Sequence, residues 1–307
     1  MLQLGVAKVS VVINVVLEEI GFLPRCLASV KDLASEILIV DMTPPGSGVA
    51  KIAEKYKAVV VRHPLNPVVE TARNFGISKA TSEWILILDP DEELSDSLRE
   101  KLIKIAKNPG ADYFGIPRKN IVFGKWLRYS RWWPDYNIRF FRKGHVAWDE
   151  AIHSIPRTSG KGADLLPEEK FAIIHYHYDS IDQYLTRMNR YTTSQAELKI
   201  SDGYNFDWKD LIAKPVSEFL SRFFAGQGYK DGVHGLALSV LQAFSEFVVY
   251  LKVWSHSAPA ARDKQLDLAE VVRVMKNVEK DIHYWQADAL FKSSGKFIHR
   301  LRRKLKI

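Results

Sequence analysis

Residues Trp84 to Leu88 form an unbroken apolar run, W-I-L-I-L, and the chain then passes at once into D-P-D-E-E, four carboxylates in five positions. A run this short with no polar face predicts a strand buried in the middle of a sheet, and ligands of open α/β sheets gather beyond the carboxyl ends of such strands. Asp89 and Asp91, two residues apart, then point the same way. Carboxylates crowded in a polar mouth need a compensating cation, and Mg2+ or Mn2+ shared with a substrate diphosphate is the usual one. The competing reading is a helix start, with Ser95 as N-cap and acids in the first turn. It accounts for Ser95 and Asp96 better than for Asp89 and Asp91.

The first hundred residues repeat the pattern. Val9–Ile13, Glu36–Val40 and Val59–Val61 are strand-like, and helical stretches fall around Leu23–Lys31, Val49–Lys57 and Val69–Ala80. Alternation of this kind predicts parallel β/α units and a doubly wound sheet, an α/β fold. Polar groups sit where three strands end: Asn14 followed by Glu18 and Glu19, then Asp41, then Asp89 with Asp91. One sheet edge is therefore acidic. Arg73 and Asn74, on the helix before the fourth strand, are placed to offer a guanidinium and an amide to a phosphate or base.

A chain of 307 residues, 47% apolar, suits one large or two small domains, and the change to helical patterning near Ser180 divides it into 1–178 and 179–307. One cysteine, Cys26, rules out an internal disulfide. With an N-terminus lacking the charged-then-apolar pattern of a signal peptide, it leads to the expectation of a cytosolic protein. The net charge of +8 points to a polyanionic partner. In the second half Gly203, Pro215, Gly226–Gly228 and Pro259 are expected to break helices. Val233–Trp254 is long and apolar, but Gln242, Glu246 and Lys252 interrupt it and argue against a spanning helix. Phe297–Ile307 places Phe297, Ile298, Leu301 and Leu305 at helical spacing among basic residues. It reads as an amphipathic helix lying on an anionic membrane, the alternative being a solvated helix packed on its domain.

Several chemistries lose their signatures. No complete G-x-G-x-x-G follows the first strand, Gly46-Ser47-Gly48 reads as a turn, and no Walker A sequence or G-x-S-x-G occurs. The middle segment mixes Trp126, Arg128, Tyr129, Arg131, Trp132, Trp133 and Tyr136 with Arg139, Arg142 and Lys143. Rings that stack on sugars beside arginines that pair with anions predict an acceptor groove. Single-stranded nucleic acid ranks second, because an acidic mouth repels its backbone, and no nucleic-acid partner is expected. His175 and His177 share one face of a strand. They place one imidazole, His175, on a metal beside Asp91, or else form a hydrogen-bonded pair.

Taken together, V-S-V-V-I-N…E-E, I-L-I-V-D, A-R-N-F-G-I and L-D-P-D-E-E, in this order and spacing, resemble the family 2 glycosyltransferases of the GT-A fold. Beyond them I-R-F-F-R-K, Ile152-His153, I-I-H-Y-H-Y, N-R-Y-T and G-Y-K-D-G-V-H-G-L resemble the subgroup that includes lipopolysaccharide core glucosyltransferases. The resemblance implies a Rossmann-like, mostly parallel sheet flanked by helices, with a C-terminal helical extension. It implies that Asp41 recognises the nucleotide base, Glu18 lies near the nucleoside, Arg73 contacts the nucleotide or diphosphate, and Asn14 lies in the same nucleotide-sugar site. Asp89 and Asp91 match the D-x-D pair, the first nearer the ribose and the second on Mg2+ or Mn2+.

Inverting transfer also needs a base for the acceptor hydroxyl. Relatives carry His-Glu where this chain has His153-Ser154, which leaves Glu150, Asp149 and His153 as candidates. If Ile152 and His153 form a strand, Asp149 and His153 share its face. Leu17 stands where an asparagine often precedes Glu18, and M-T-P-P-G-S-G after Asp41 lacks a second acid; both bear on nucleotide identity. The expectation is a metal-dependent inverting transferase, peripheral on the inner face of the cell membrane. It would move a hexose from a nucleotide sugar, UDP-linked by preference, to a cell-envelope glycolipid or lipopolysaccharide-type acceptor. The alternatives are a polyprenyl-phosphate transferase and a non-catalytic nucleic-acid or glycan-binding protein on the same fold.

Overall fold

The structure, a computed structural model, describes residues 8–65, 69–149 and 156–305. The chain forms two compact units, one made of residues up to Ile121 with Trp133–His177, the other of Val122–Trp132 with Tyr178 onward.

In the first unit β1 (Val9–Val15), β2 (Glu36–Asp41), β3 (Val59–Arg62) and β4 (Trp84–Leu88) alternate with α1 (Leu23–Val30), α2 (Val49–Lys55) and α3 (Val69–Lys79). The chain continues through β5 (Glu92–Leu94), α4 (Asp96–Lys107), β6 (Tyr113–Ile116), β7 (Arg118–Val122) and β8 (Lys125–Trp126), the last in the second unit. Then come β9 (Asn137–Arg142), β10 (Val146–Ala147), β11 (Arg157–Thr158), β12 (Gly162–Asp164) and β13 (Ile173–Tyr178). The main sheet has the order β12-β6-β9-β4-β1-β2-β3. It is parallel from β4 to β3, and β9 runs antiparallel to both β4 and β6. A smaller sheet sets β13 between β5 and β7.

The apolar runs follow from burial on both faces. Val11, Ile13, Ile39, Leu86 and Leu88 pack with residues of α1 and α4, whereas Val12, Val40, Ile85 and Ile87 pack with Ala72 and Ile77 of α3. All of W-I-L-I-L is buried, and Trp84 stacks on Phe140 of β9 with ring centroids 4.8 Å apart. A strand end and a helix start both occur at the acidic junction. The strand ends at Leu88, and Ser95 caps α4 by accepting a hydrogen bond from the Leu98 N–H at 3.1 Å. Between them Glu92–Leu94 pair antiparallel with Ile173–His175, a strand that three residues of sequence do not announce.

In the second unit α5 (Ile181–Ser201), α6 (Asp210–Leu220), α7 (Val233–Ser255), α8 (Pro259–Arg262), α9 (Leu268–Ser294) and α10 (Phe297–Leu305) follow one another. Helix α7 packs on α5 and α6, and α10 on α9. Gly203 and Pro259 fall at helix ends as expected, but α6 runs through Pro215. Proline removes one backbone hydrogen bond, about 3 kcal/mol in a helix interior, and the packing of α6 along α7 offsets it. The G-Y-K-D-G-V-H-G-L motif forms the approach to α7. Buried Asp231 accepts from the N–H groups of Arg128 and Tyr129, and a Cβ on Gly235 would lie 1.9 Å from the Gly228 carbonyl oxygen. The N-R-Y-T motif receives the Lys252 ammonium of α7, which donates to Asn189, Thr192 and Thr193.

Gly76 sets how closely α3 lies on the sheet. A Cβ there would meet Val12 Cγ1 at 2.5 Å and Val40 Cγ2 at 2.8 Å, both on stiff, fully buried side chains. Gly76→Ala is therefore expected to cost about 1–3 kcal/mol of stability by overpacking, despite alanine's better helix propensity. Urea unfolding checks this, and a gain in stability would show that α3 can move outward freely.

Candidate functional site

Strand β4 delivers Asp89 to the sheet edge, and α3 brings Arg73 onto it with Nη2 donating to Oδ1 at 3.1 Å. From β9, Arg139 donates to Asp89 Oδ2 at 2.5 Å and to Glu92 Oε1 at 2.7 Å. Glu92 is wholly buried, and its Oε2 accepts from the Asp89 backbone N–H at 3.0 Å, which turns the chain after β4. Arg118 reaches Glu92 Oε1 at 3.4 Å and Asp135 Oδ2 at 2.8 Å. Burial alone would raise the Asp89 pKa, but Arg139 and then Arg73 more than offset it and hold the carboxyl well below the usual carboxylate range. The same pairing with Asp89 and Glu92 overcomes the burial of Arg139 and raises its guanidinium above the ordinary arginine value.

The compensating cation expected for the acidic mouth is thus supplied, for Asp89 and Glu92, by three guanidinium groups of the chain itself. Asp91 lies on the His175 side of the turn. It is buried, and its Oδ1 lies 3.7 Å from His175 Nε2. Asn120 Nδ2 donates to Asp135 at 2.9 Å, which turns its Oδ1 toward His175 Nδ1 at 2.6 Å and makes that nitrogen the donor. Burial pushes His175 well below the usual imidazole range, and His177 and Arg118 lower it further. The ring is therefore neutral, with Nε2 unprotonated and facing both Asp91 and the Nδ1 of His177 at 3.2 Å. Among the described residues no group of three or more His, Cys, Asp or Glu is placed to hold a metal ion. A carboxylate oxygen and an imidazole nitrogen are two donors, which fits a cation that takes its remaining ligands from a diphosphate and water better than one held in an all-protein cage.

Other predicted residues divide between nearby and distant placements. Asn14 follows Ile13, which pairs with Leu88, so it neighbours Asp89 across the sheet. It is buried, and among the described residues neither polar atom of its amide has a hydrogen-bond partner, nor does the buried Nε of Arg73. Asp41 is nearly buried. Its Oδ1 accepts from the Thr43 N–H and hydroxyl at 2.9 and 2.6 Å, and its Oδ2 accepts from Arg62 at 2.5 Å. Among the described residues these bonds take three of about four acceptor positions on this carboxylate. Glu18 is exposed in a short 3-10 turn, Leu17–Glu19.

Asn74, expected at a phosphate or base, instead binds the backbone of Trp148 in both directions, donating at 2.7 Å and accepting at 3.0 Å. An amide offers a donor and an acceptor side by side, which matches a peptide group better than a phosphate. Asp149 follows immediately, half exposed and paired with Arg157 at 2.7 Å. Glu150 and His153 lie outside the described residues, as does any strand through Ile152. Sequence reasoning gave no role to Arg118, Asn120 or Arg62, counted Glu92 only among the crowded carboxylates, and set Arg139 in an acceptor groove, whereas it is buried against Asp89 and Glu92. One signal was available for Arg139, since a charge set between Ile138 and Phe140 in a strand must find a buried counter-ion.

Two outcomes test this geometry. Arg139→Leu leaves Glu92 without its main partner and is expected to lower stability by roughly 3–5 kcal/mol in urea unfolding; a loss below about 1 kcal/mol would show that water solvates these carboxylates. For His175 the unfolded state takes up a proton below pH about 6.5 and the folded state does not. Its share of stability is therefore complete above that value and lost as pH falls. In the absence of divalent cations, wild type is expected to weaken from pH 7.5 to 5.5 more steeply than His175→Asn, by up to about 1.4 kcal/mol per pH unit. Parallel curves would refute a depressed imidazole.

Residues 10–159 match the family model "Glycosyl transferase family 2". An uncharacterized glycosyltransferase of Rickettsia conorii is 28% identical over 82% of this chain and 92% of its own length. The lipopolysaccharide core biosynthesis glycosyltransferase LpsC of Rhizobium meliloti is 23% identical over 80% and 92%. The structure of the mannosyltransferase PcManGT from Pyrobaculum calidifontis in complex with GDP-Man and Mn2+ aligns over 97% of this chain and 84% of that one, at 13% identity and a TM-score of 0.44. The arrangement of β1 to β4 with their helices agrees with that match: residues 10–159 are similar to the family 2 glycosyltransferases, on an α/β fold consistent with GT-A.

Proposed function

We propose that the chain is a metal-dependent inverting hexosyltransferase that takes its sugar from a nucleotide donor, by preference a UDP-sugar, and passes it to a cell-envelope glycolipid or lipopolysaccharide-type acceptor. The observation that carries this reading is the division of labour after β4. Asp89 is committed to Arg73 and Arg139, while Asp91 faces the unprotonated Nε2 of His175 at 3.7 Å. Asp91 and His175 would hold Mg2+ or Mn2+, which supplies a Lewis acid for the charge that grows on the departing diphosphate. The Asn120 hydrogen bond fixes the His175 tautomer that such binding requires.

The remaining residues bind and orient. Asn14 and Arg73 Nε bring unmet polar groups to the ends of β1 and β4, where ribose or phosphate oxygens would satisfy them. Asp41 keeps one acceptor position for a base N–H, and Glu18 flanks the same sheet edge. The proton of the acceptor hydroxyl goes to a side chain of the W-D-E-A-I-H segment, with Glu150, Asp149 and His153 as the candidates. Asn74 fixes where that segment starts by holding Trp148. The Rhizobium relative's role in lipopolysaccharide core biosynthesis supports the acceptor class.

A thermal-shift panel of UDP-, GDP-, ADP- and CMP-sugars, with and without Mn2+, tests the donor site on wild type and Asp91→Ala. One nucleotide class is expected to stabilise the wild type by about 2.7 kcal/mol at a hundred times its dissociation constant, and to lose this without Mn2+ or without Asp91. Stabilisation that survives both changes would remove the metal from the proposal.

A further inference from the structure

Within the second unit, α7 has two unlike sides. Gly235, Leu238, Ser239, Val249, Tyr250 and Val253 are buried, and the side chains of Gln242 and Lys252 bond to Tyr184 and to the Asn189–Thr193 turn of α5. At 100° per residue, Val233, Leu236, Val240, Phe244, Phe247 and Trp254 fall on one narrow strip away from these groups. Five of the six are exposed, Val233 to 79%, Val240 to 52% and Phe244 to 46%. Glu246 and Lys252, the acidic and basic residues of α7, lie to either side of it. The strip is about 32 Å long by helix rise, and scattered single apolar residues would need no explanation whereas a continuous strip does.

Charge says what covers it. Of the 44 Lys and Arg and 36 Asp and Glu, the second unit holds 23 and 15, leaving 21 of each in the first. The whole +8 of the chain belongs to the unit that carries the strip. A second copy would bring two such units together against their own repulsion, whereas an anionic surface gains from the same charge. Helix α10 adds to it, with Phe297, Ile298, Leu301 and Leu305 exposed among Arg300, Arg302 and Lys304, and with Arg303 tying it to Asp288 of α9 at 2.7 Å. Helix α7 is long and apolar enough to cross a membrane, yet its opposite side is built into its own unit. It is suited to lie along a bilayer rather than to pass through one.

We propose that the exposed strip of α7 docks the second unit on an anionic phospholipid bilayer, α7 supplying the apolar area and the basic residues of the unit the attraction. This contact is independent of the donor site, so Asp91→Ala protein is expected to bind vesicles as wild type does.

The test uses the full chain with vesicles of phosphatidylcholine alone or with phosphatidylglycerol. Wild type is expected to float with the anionic vesicles, less so as salt rises. Val240→Ser/Phe244→Ser is expected to weaken that binding about tenfold or more, given the apolar area removed, with an unchanged melting temperature. Equal binding by variant and wild type would overturn the proposal, as would a wild-type dimer that the substitutions dissociate while vesicle binding persists. Should the double variant not fold, Val240→Cys offers a second route, because Cys26 is fully buried and a thiol dye would enter at position 240 alone. A dye that shifts to the blue with anionic vesicles supports docking through α7, and one that keeps its aqueous colour refutes it.

Discussion

A guanidinium buried between two carboxylates holds the end of β4 in place. Arg139 is almost wholly buried, as is Glu92, and such charges are tolerable only when each partner is present and well placed. Arg139 joins Asp89 to Glu92, and Glu92 takes the Asp89 N–H, so the chain leaves β4 in one direction only. The turn then sets Asp91 against His175 of β13, and Arg118, Asp135 and Asn120 carry the same polar chain round to the other nitrogen of that imidazole. Each member answers the desolvation of the next. The network resembles a keystone course more than a set of separate ion pairs, and its polar members are spread over six segments of the first unit.

What could be read from the sequence follows from how local the cause was. The strands β1 to β4 and helices α1 to α3 were legible because burial on both faces writes unbroken apolar runs, and Ser95 because a cap acts on residues three away. Asp89 and Asp91 were legible as a pair, but not the difference between them, since that difference comes from β9 and β13, fifty and eighty-odd residues later. Asn74 was misread because its partner is a peptide group, and peptide groups leave no mark in a sequence. Pro215 was misread because local propensity was weighed without the packing of α6 on α7. The charge of +8 was read correctly as a total, while its confinement to one unit required knowing that Val122–Trp132 belong with the second half.

The electrical neutrality of the first unit bears on how it would meet an anion. With 21 basic and 21 acidic residues, it offers a diphosphate no net field to follow, so affinity must come from individual donors fixed at short range. Among the described residues the unpartnered Asn14 Nδ2 and Arg73 Nε are such donors, held ready by the sheet and by α3. In the second unit, with 23 basic and 15 acidic residues, the summed charge itself favours an anion without fixed geometry.

Helix α3 gives three consecutive features of R-N-F-G separate tasks. Arg73 holds the carboxylate after β4, Asn74 holds the backbone of Trp148 before the candidate bases, and Gly76 allows the helix down onto Val12 and Val40. The two held groups stand 59 residues apart in the chain, yet both take their position from neighbouring residues of one short, stiff rod. A small slide of α3 along the sheet would displace both in the same sense, leaving the spacing between them nearly constant. The helix thus serves as a common ruler for the end of β4 and for the chain at Trp148.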